Sequence, residues 1–171
     1  MNFVQVFLLT VLLAVATSAS ATNLITPEQI QAEIKVEGAK AIVLKYYDTP
    51  AWQMAIAPGM RSARANWLSV AEKLYVGADG AAAEDIDLAL YDALAVAPFR
   101  VLPILSRMHR RDIKVLCDVS YEAEFPHEGI VTYLGKIRHE LDRAQDRVEK
   151  NIASQCKVGL DKSLKSANAH G

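Results

Sequence analysis

Cysteine is scarce in this chain: two residues, Cys117 and Cys156, among 171. A structural zinc site wants four ligands and usually close pairs such as C-x-x-C, and neither cysteine has a cysteine or histidine beside it. Charge of one sign is equally thin. Lysine and arginine number 19 and aspartate and glutamate 20, for a formal net charge of -1, with both signs mixed along the chain. That balance argues against a strongly basic nucleic-acid binder and offers no acidic or basic block as an electrostatic partner site. Aromatic residues make up 7% of the chain. Alternating strand patterns and fixed-period repeats are missing. So are G-x-S-x-G, H-E-x-x-H, the P-loop, G-x-G-x-x-G and C-x-x-C-H, which removes the usual sequence warrants for an enzyme without excluding one. No cofactor or metal is implied.

One long apolar run does occur, at the N-terminus. "VFLLTVLLAVA" is followed by the small and hydroxylic residues of "TSASATN". The run is short for a bilayer span, which takes roughly 20 residues. It matches the apolar core of a secretory signal, with Ala19 and Ala21 flanking a cleavage site after Ala21, although "MNFVQ" lacks Lys and Arg. Residues 1–21 are therefore expected to be a cleaved signal peptide, and residues 22–171 a single helical domain, periplasmic or secreted, with no stable membrane anchor. An uncleaved anchor and a buried helix are the alternatives. In an oxidising compartment two cysteines in a small domain most often pair, so Cys117 and Cys156 are expected to form a disulfide. Free thiols or another use of the sulfurs remain open.

Every long periodic segment reads as helix. "TPEQIQAEI" opens the first, with Thr26 as N-cap, Pro27 at the first helical position and Gln29 three residues after the cap. It runs to about Tyr47, with Gly38 as a soft point. "DTPAW" restarts a short helix carrying Trp52 and Ile56 on one side and stopped by "APG". A third, in "SARANWLSVAEKLY", aligns Ala63, Trp67, Val70, Ala71 and Leu74. After the turn "VGADGAA" comes a fourth, with Glu84, Asp85 and Asp87 in early turns where the helix dipole favours negative charge, and a stripe of Ile86, Leu90, Ala93, Leu94 and Ala97. "APFRVLPIL" begins a fifth, expected to bend or end early at Pro103. Residues 109–126 read as a long connection with one extended piece at "IKVLCDV". The last helix is expected from His127 to Ala167, with Ile130, Leu134, Ile137, Leu141, Ala144, Val148, Ile152, Cys156, Leu160 and Leu164 on one stripe. The expected fold is all-α: a bundle or short array of about five or six helices.

Candidate chemistry is sparse. His139 could share a face with Asp142 and Asp146 as metal ligands, but solvated pairs such as Glu140 with Arg143 and Asp146 with Lys150 explain the same charges. His127 reads as a helix-terminus residue and His170 as part of a frayed tail. "RMHRRD" is the one local basic cluster. Arg107, His109, Arg110 and Arg111 are the candidate partner-contact residues, since guanidinium forks match carboxylates and phosphates. The bland reading is a helix C-terminus whose cations the dipole favours. No aromatic residues interleave with the cluster, which speaks against nucleic acid. Trp52, Trp67, Tyr75, Tyr91 and Phe99 read as packing residues; of the adjacent Tyr46 and Tyr47 only one can face the core.

The run "NWLSVAEKLYVGADGAAAEDIDLALYDALAVAPFRVL", with "LC" and a late cysteine after it, resembles a group of small exported bacterial proteins without an assigned activity. The matching positions are Trp67, Leu68, Gly77 to Asp79, Leu88 to Leu94, Pro98, Val101, Leu102, Cys117 and Cys156. The resemblance covers residues 50–164 and implies a helical, disulfide-linked exported domain; it carries over no catalytic residue. The leading functional expectation is a non-enzymatic protein that binds another macromolecule in the bacterial envelope, as an inhibitor, immunity protein or adaptor. The alternative is a small envelope hydrolase with dispersed acid and base residues. A groove holding paired carboxylates and one histidine would favour the hydrolase, and an exposed apolar patch rimmed by "RMHRR" would favour binding.

Overall fold

A computed structural model describes residues 25–118, 126 and 128–170. The expected signal segment and His127 lie outside these residues, as does the side chain of His170. Among the described residues the fold is all-α, with nine α-helices, one π-helical turn and no strand. No helix among them is long and apolar enough to cross a membrane.

More helices appear than the periodicity predicts, because local breaks divide the longer runs. The first run splits into α1 (Pro27–Glu37) and α2 (Ala39–Tyr46). Gly38 sits between them at φ 86°, a backbone state that a side chain would strain, and its N–H returns to the Ile34 carbonyl. Thr26 caps α1 as expected, its side chain accepting from the Gln29 amide. The π turn Trp52–Ile56 leads straight into α3 (Ala57–Arg61), so "APG" does not stop the segment. Pro58 falls in the first turn of α3, directly after the π turn. The break comes later, at Ala63, which is buried at φ 55° and precedes α4 (Ala65–Tyr75) rather than joining it.

Helices α5 (Gly80–Leu94) and α6 (Pro98–His109) follow through short turns. Pro103 neither ends nor shortens α6. Its ring borders an open groove, while Val101, Leu102 and Leu105 anchor the inner face. Trp67 and Trp52 are buried, and Trp52 donates its indole N–H to Asp85 on α5 at 3.3 Å. Tyr46 turns inward and donates its hydroxyl to Glu33, while Tyr47 is half-buried, edge-on to Trp52.

The expected extended piece is instead a helical turn, α7 (Ile113–Leu116), started by Asp112, whose carbonyl accepts from Val115 and Leu116. The expected last helix is two: α8 (Ile130–Leu141) and α9 (Arg147–His170). The first stops at Leu141, and Asp146 starts the second. Its carboxylate accepts from the Val148 and Glu149 amides, and Glu149 reaches back to the Gln145 amide at 2.8 Å. This is a variant of the capping box, with Glu149 accepting from the residue before the N-cap, and such local side-chain bonds compete with an uninterrupted helix. Val148, expected on the buried stripe, is accordingly exposed.

Cys117, capping α7, is bonded to Cys156 on α9, with Cα atoms 5.2 Å apart. Both residues are almost wholly buried. Three residues along α9, Gly159 lets the α7 backbone approach so closely that an added Cβ would lie 2.3 Å from the Lys114 carbonyl oxygen. Ser163 donates to the Cys117 carbonyl, and Lys162 pairs with Asp118. The disulfide thus fastens the segment after α6 onto the middle of α9. Tyr133 on α8 completes the packing, donating its buried hydroxyl to the Tyr91 carbonyl of α5 at 2.6 Å.

Candidate functional site

The basic cluster lies along α6 and just beyond its end. From Pro98 to Arg111 the chain holds four arginines and one histidine and no aspartate or glutamate. The expected partner-contact residues divide by the directions a helix imposes. Arg107 turns toward α4, where Nε meets Glu72 Oε1 at 2.7 Å and Nη2 meets Oε2 at 3.0 Å. This fork holds the Glu72 carboxyl below the ordinary range, chiefly through the hydrogen bond from Arg107. Both side chains remain partly exposed, so the pair registers the two helices more than it stabilises them.

His109 lies on the opposite side of α6. Its Nε2 is 3.0 Å from Asp87 Oδ1 on α5, and its Nδ1 is 3.4 Å from the Tyr75 hydroxyl at the end of α4. With Asp87 ionised, Nε2–H donates to the carboxylate and Nδ1 accepts from the phenol, so both ring nitrogens are engaged within the fold. The rings of Tyr75 and His109 meet edge to face, 5.3 Å between centroids. Burial pushes the Asp87 carboxyl up, with the charge and hydrogen bond of His109 pulling the other way. Burial also raises Tyr75 and Tyr91, and the nearby Arg111 charge opposes both shifts.

Arg110 and Arg111 close the helix. Arg110 adopts the left-handed conformation, φ 52° and ψ 43°, and its N–H returns to the Ser106 carbonyl. Ser106 in turn donates its hydroxyl to the Arg111 carbonyl at 2.7 Å. The backbone is therefore held while both side chains stay exposed. Among the described residues, Arg100, Arg110 and Arg111 form no ion pair. The structure brings Arg107, His109, Arg110 and Arg111 to one end of α6 but sets them in different roles.

Beside α6 runs an open groove of about 330 Å³, lined by Ala65, Leu68, Phe99, Arg100, Pro103, Ile104 and Arg107. Arg100, Pro103, Ile104 and Arg107 recur at helical spacing and so share one face. Chain reversals between α4 and α5 and between α5 and α6 make α4 and α6 run the same way. Glu72 meeting Arg107 and Tyr75 meeting His109 agree with that direction.

The second cluster weighed from the sequence does not assemble. Asp142 pairs with Lys157 on α9 at 2.6 Å, Asp146 caps α9, and His139 is exposed. Glu140 and Arg143 do pair, at 3.2 Å. Among the described residues, no three or more His, Cys, Asp or Glu side chains are placed to hold a metal ion. Sequence reasoning missed Glu72 and Tyr75 as partners of α6, and read Asp87 only as a dipole-favoured charge. Between 22 and 35 residues separate each from its partner on α6, and no local pattern announces such contacts. Comparison with known protein families, with curated proteins and with solved structures found no match.

Proposed function

We propose that this is an exported, non-enzymatic protein of the bacterial envelope that binds another protein there, as an inhibitor, immunity protein or adaptor. The observation that carries the reading is the charge of α6: four arginines and no carboxylate from Pro98 to Arg111, in a chain whose net charge is -1. Three of those guanidiniums are exposed and have no ion pair among the described residues. One of them, Arg100, borders an apolar groove and the other two lie beyond the helix end, a mix of exposed guanidiniums and apolar surface that fits a recognition face better than a merely solvated helix. Export rests on the apolar N-terminal run, with cleavage after Ala21, and on the disulfide, which persists in oxidising compartments. The resemblance to small exported helical proteins is part of the same proposal.

A small envelope hydrolase is the second reading, and the oriented His109–Asp87 pair is its one support. It is the weaker reading, because the second ring nitrogen that would act as base already faces Tyr75. The test is affinity capture from the native envelope, with the oxidised mature chain as bait. Arg110→Ala/Arg111→Ala should lose the captured protein while the thermal melt stays unchanged. Equal capture by both baits would remove this face from the account. Export is tested by N-terminal sequencing of the protein recovered from its native cell: Thr22 as first residue supports it, and Met1 retained on cytosolic material contradicts it.

A further inference from the structure

We infer that the groove between α4 and α6 receives an apolar side chain carried on an acidic segment of the partner protein. The inference rests on the partner-binding reading of α6 and adds the chemistry of what is bound. The groove offers two kinds of contact. Its floor is apolar, from Leu68, Phe99, Pro103 and Ile104, and its volume of about 330 Å³ suits one or two large side chains rather than an extended ligand. Its rim is cationic, with Arg100 and Arg107 one on each side of Ile104 in sequence.

Helix electrostatics add to that rim. Because α4 and α6 run in the same direction, both of their N-termini open at the Ala65 and Phe99 end of the groove. At the start of α4 the Asn66 side chain accepts from the Trp67 amide and donates to the Glu28 carboxylate, whereas Ala97, which precedes α6, offers no side-chain cap. The positive end of the α6 dipole therefore lies beside an unpaired guanidinium, Arg100, with no side chain answering it, while Glu28 answers that of α4. Glu72 offsets Arg107 at the far end, but nothing among the described residues offsets Arg100. A segment with carboxylates flanking a leucine or phenylalanine complements both features. A basic segment would meet like charge, and a neutral apolar one would leave the rim unanswered.

The test uses the oxidised mature chain, isotope-labelled for NMR, and a blocked hexapeptide with a Leu-Phe pair between two Glu-Asp pairs. The expected result is saturable shifts confined to the signals of Ala65, Leu68, Phe99, Arg100 and Ile104, weakening as salt is raised. Replacing the acids of the peptide with lysine, or its Leu-Phe pair with alanine, should each abolish the shifts. Arg100→Glu on the protein, a change at an exposed residue with no ion pair to lose, should weaken binding about tenfold. Ile104→Glu should weaken it at least as much. The inference is overturned by shifts centred elsewhere, by equal binding of the lysine peptide, or by no shift at peptide concentrations on the order of millimolar. Concentration-dependent broadening of the same signals without peptide would overturn it too, by showing a second copy in the groove. Envelope capture separates this claim from the one beneath it. A partner kept by Arg100→Glu and Ile104→Glu baits but lost with Arg110→Ala/Arg111→Ala overturns the groove and leaves the partner reading standing. A partner kept by all of them overturns both.

Discussion

Gly159→Ala should destabilise the protein, although the same change at Gly135 should stabilise it. Both glycines lie within helices, where alanine is favoured over glycine by about 1 kcal/mol. They differ in what a methyl group would meet. At Gly135 on α8 nothing lies within 4 Å of the added Cβ. At Gly159 the Cβ would lie 2.3 Å from the Lys114 carbonyl oxygen and 2.7 Å from both the Asp118 amide nitrogen and the Cys117 carbonyl carbon. Ordinary contact is roughly 3.5 Å, so α7 or α9 would have to retreat by about 1 Å. The obstacle is backbone, which has no rotamer to escape into, and the Cys117–Cys156 bond three residues away limits how far α7 can lift.

Overpacking of this kind costs roughly 1–3 kcal/mol, and the rigid neighbour puts Gly159 near the upper end. Set against the helix-propensity gain of about 1 kcal/mol, the net loss should be about 2 kcal/mol. For a domain of this size that lowers the melting temperature by roughly 4–8 °C, while Gly135→Ala should raise it by a few degrees. Thermal and urea melts of both variants, with the disulfide intact, make the measurement. In a Cys117→Ser/Cys156→Ser background α7 is free to move off, so the Gly159→Ala penalty should shrink, a coupling that a double-mutant cycle reads directly. Equal stabilisation by the two alanines, or a penalty unchanged by removing the cysteines, would refute the close seating of α7 on α9.

Other consequences follow from the same contacts. Removing the disulfide, which spans 39 residues, should cost about 4 kcal/mol by loop-closure entropy, measured as a lower urea midpoint; a loss under about 1 kcal/mol would mean the bond constrains little. Tyr133→Phe removes the hydroxyl that the Tyr91 carbonyl accepts and should cost about 1 kcal/mol with the fold retained in far-UV circular dichroism. Asp87 titrates above the ordinary aspartate range because it is partly buried, so the folded state holds its proton more tightly than the unfolded chain does. Its contribution to stability therefore increases as pH falls through the raised value toward the unfolded one, and Asp87→Asn should flatten that part of the stability-versus-pH curve. An acid limb identical in the variant would assign the effect to other groups.

Much of the architecture is legible in the residues themselves. Thr26–Pro27 announces the start of α1, and the spacing of Trp67, Val70, Ala71 and Leu74 announces the buried face of α4, because capping and amphipathic period are local properties. The disulfide follows from the cysteine count and the expectation of export, since with two cysteines there is one pairing. What escaped is local competition and distant contact. Periodicity carried the last helix across Asp146, although D-x-x-E from Asp146 to Glu149 is itself a start signal that outweighs an apolar stripe with Val148 on it. Four residues of Ile113–Leu116 are too few for a helical period to register, and β-branched Ile113 and Val115 resemble a strand. Pro103 in the sequence points to a bend or an early end, yet α6 continues past it, because packing of Leu102 and Leu105 outweighs one missing hydrogen bond. Around α6, the basic cluster stood out in the sequence. The division of labour within it depends on Glu72, Asp87 and Tyr75, which only the folded chain brings near.

Site-specific photo-cross-linking in the native envelope tests the proposed partner-binding face of α6 most directly. A photoreactive phenylalanine analogue is placed at position 104 in the groove, at position 111 beyond the helix end, and at the exposed position 158 on α9 as control. The account predicts one discrete protein adduct from positions 104 and 111, competed by the acidic Leu-Phe peptide at 104, and none from 158. Equal labelling from all three positions, or no protein adduct from either α6 position, would contradict it.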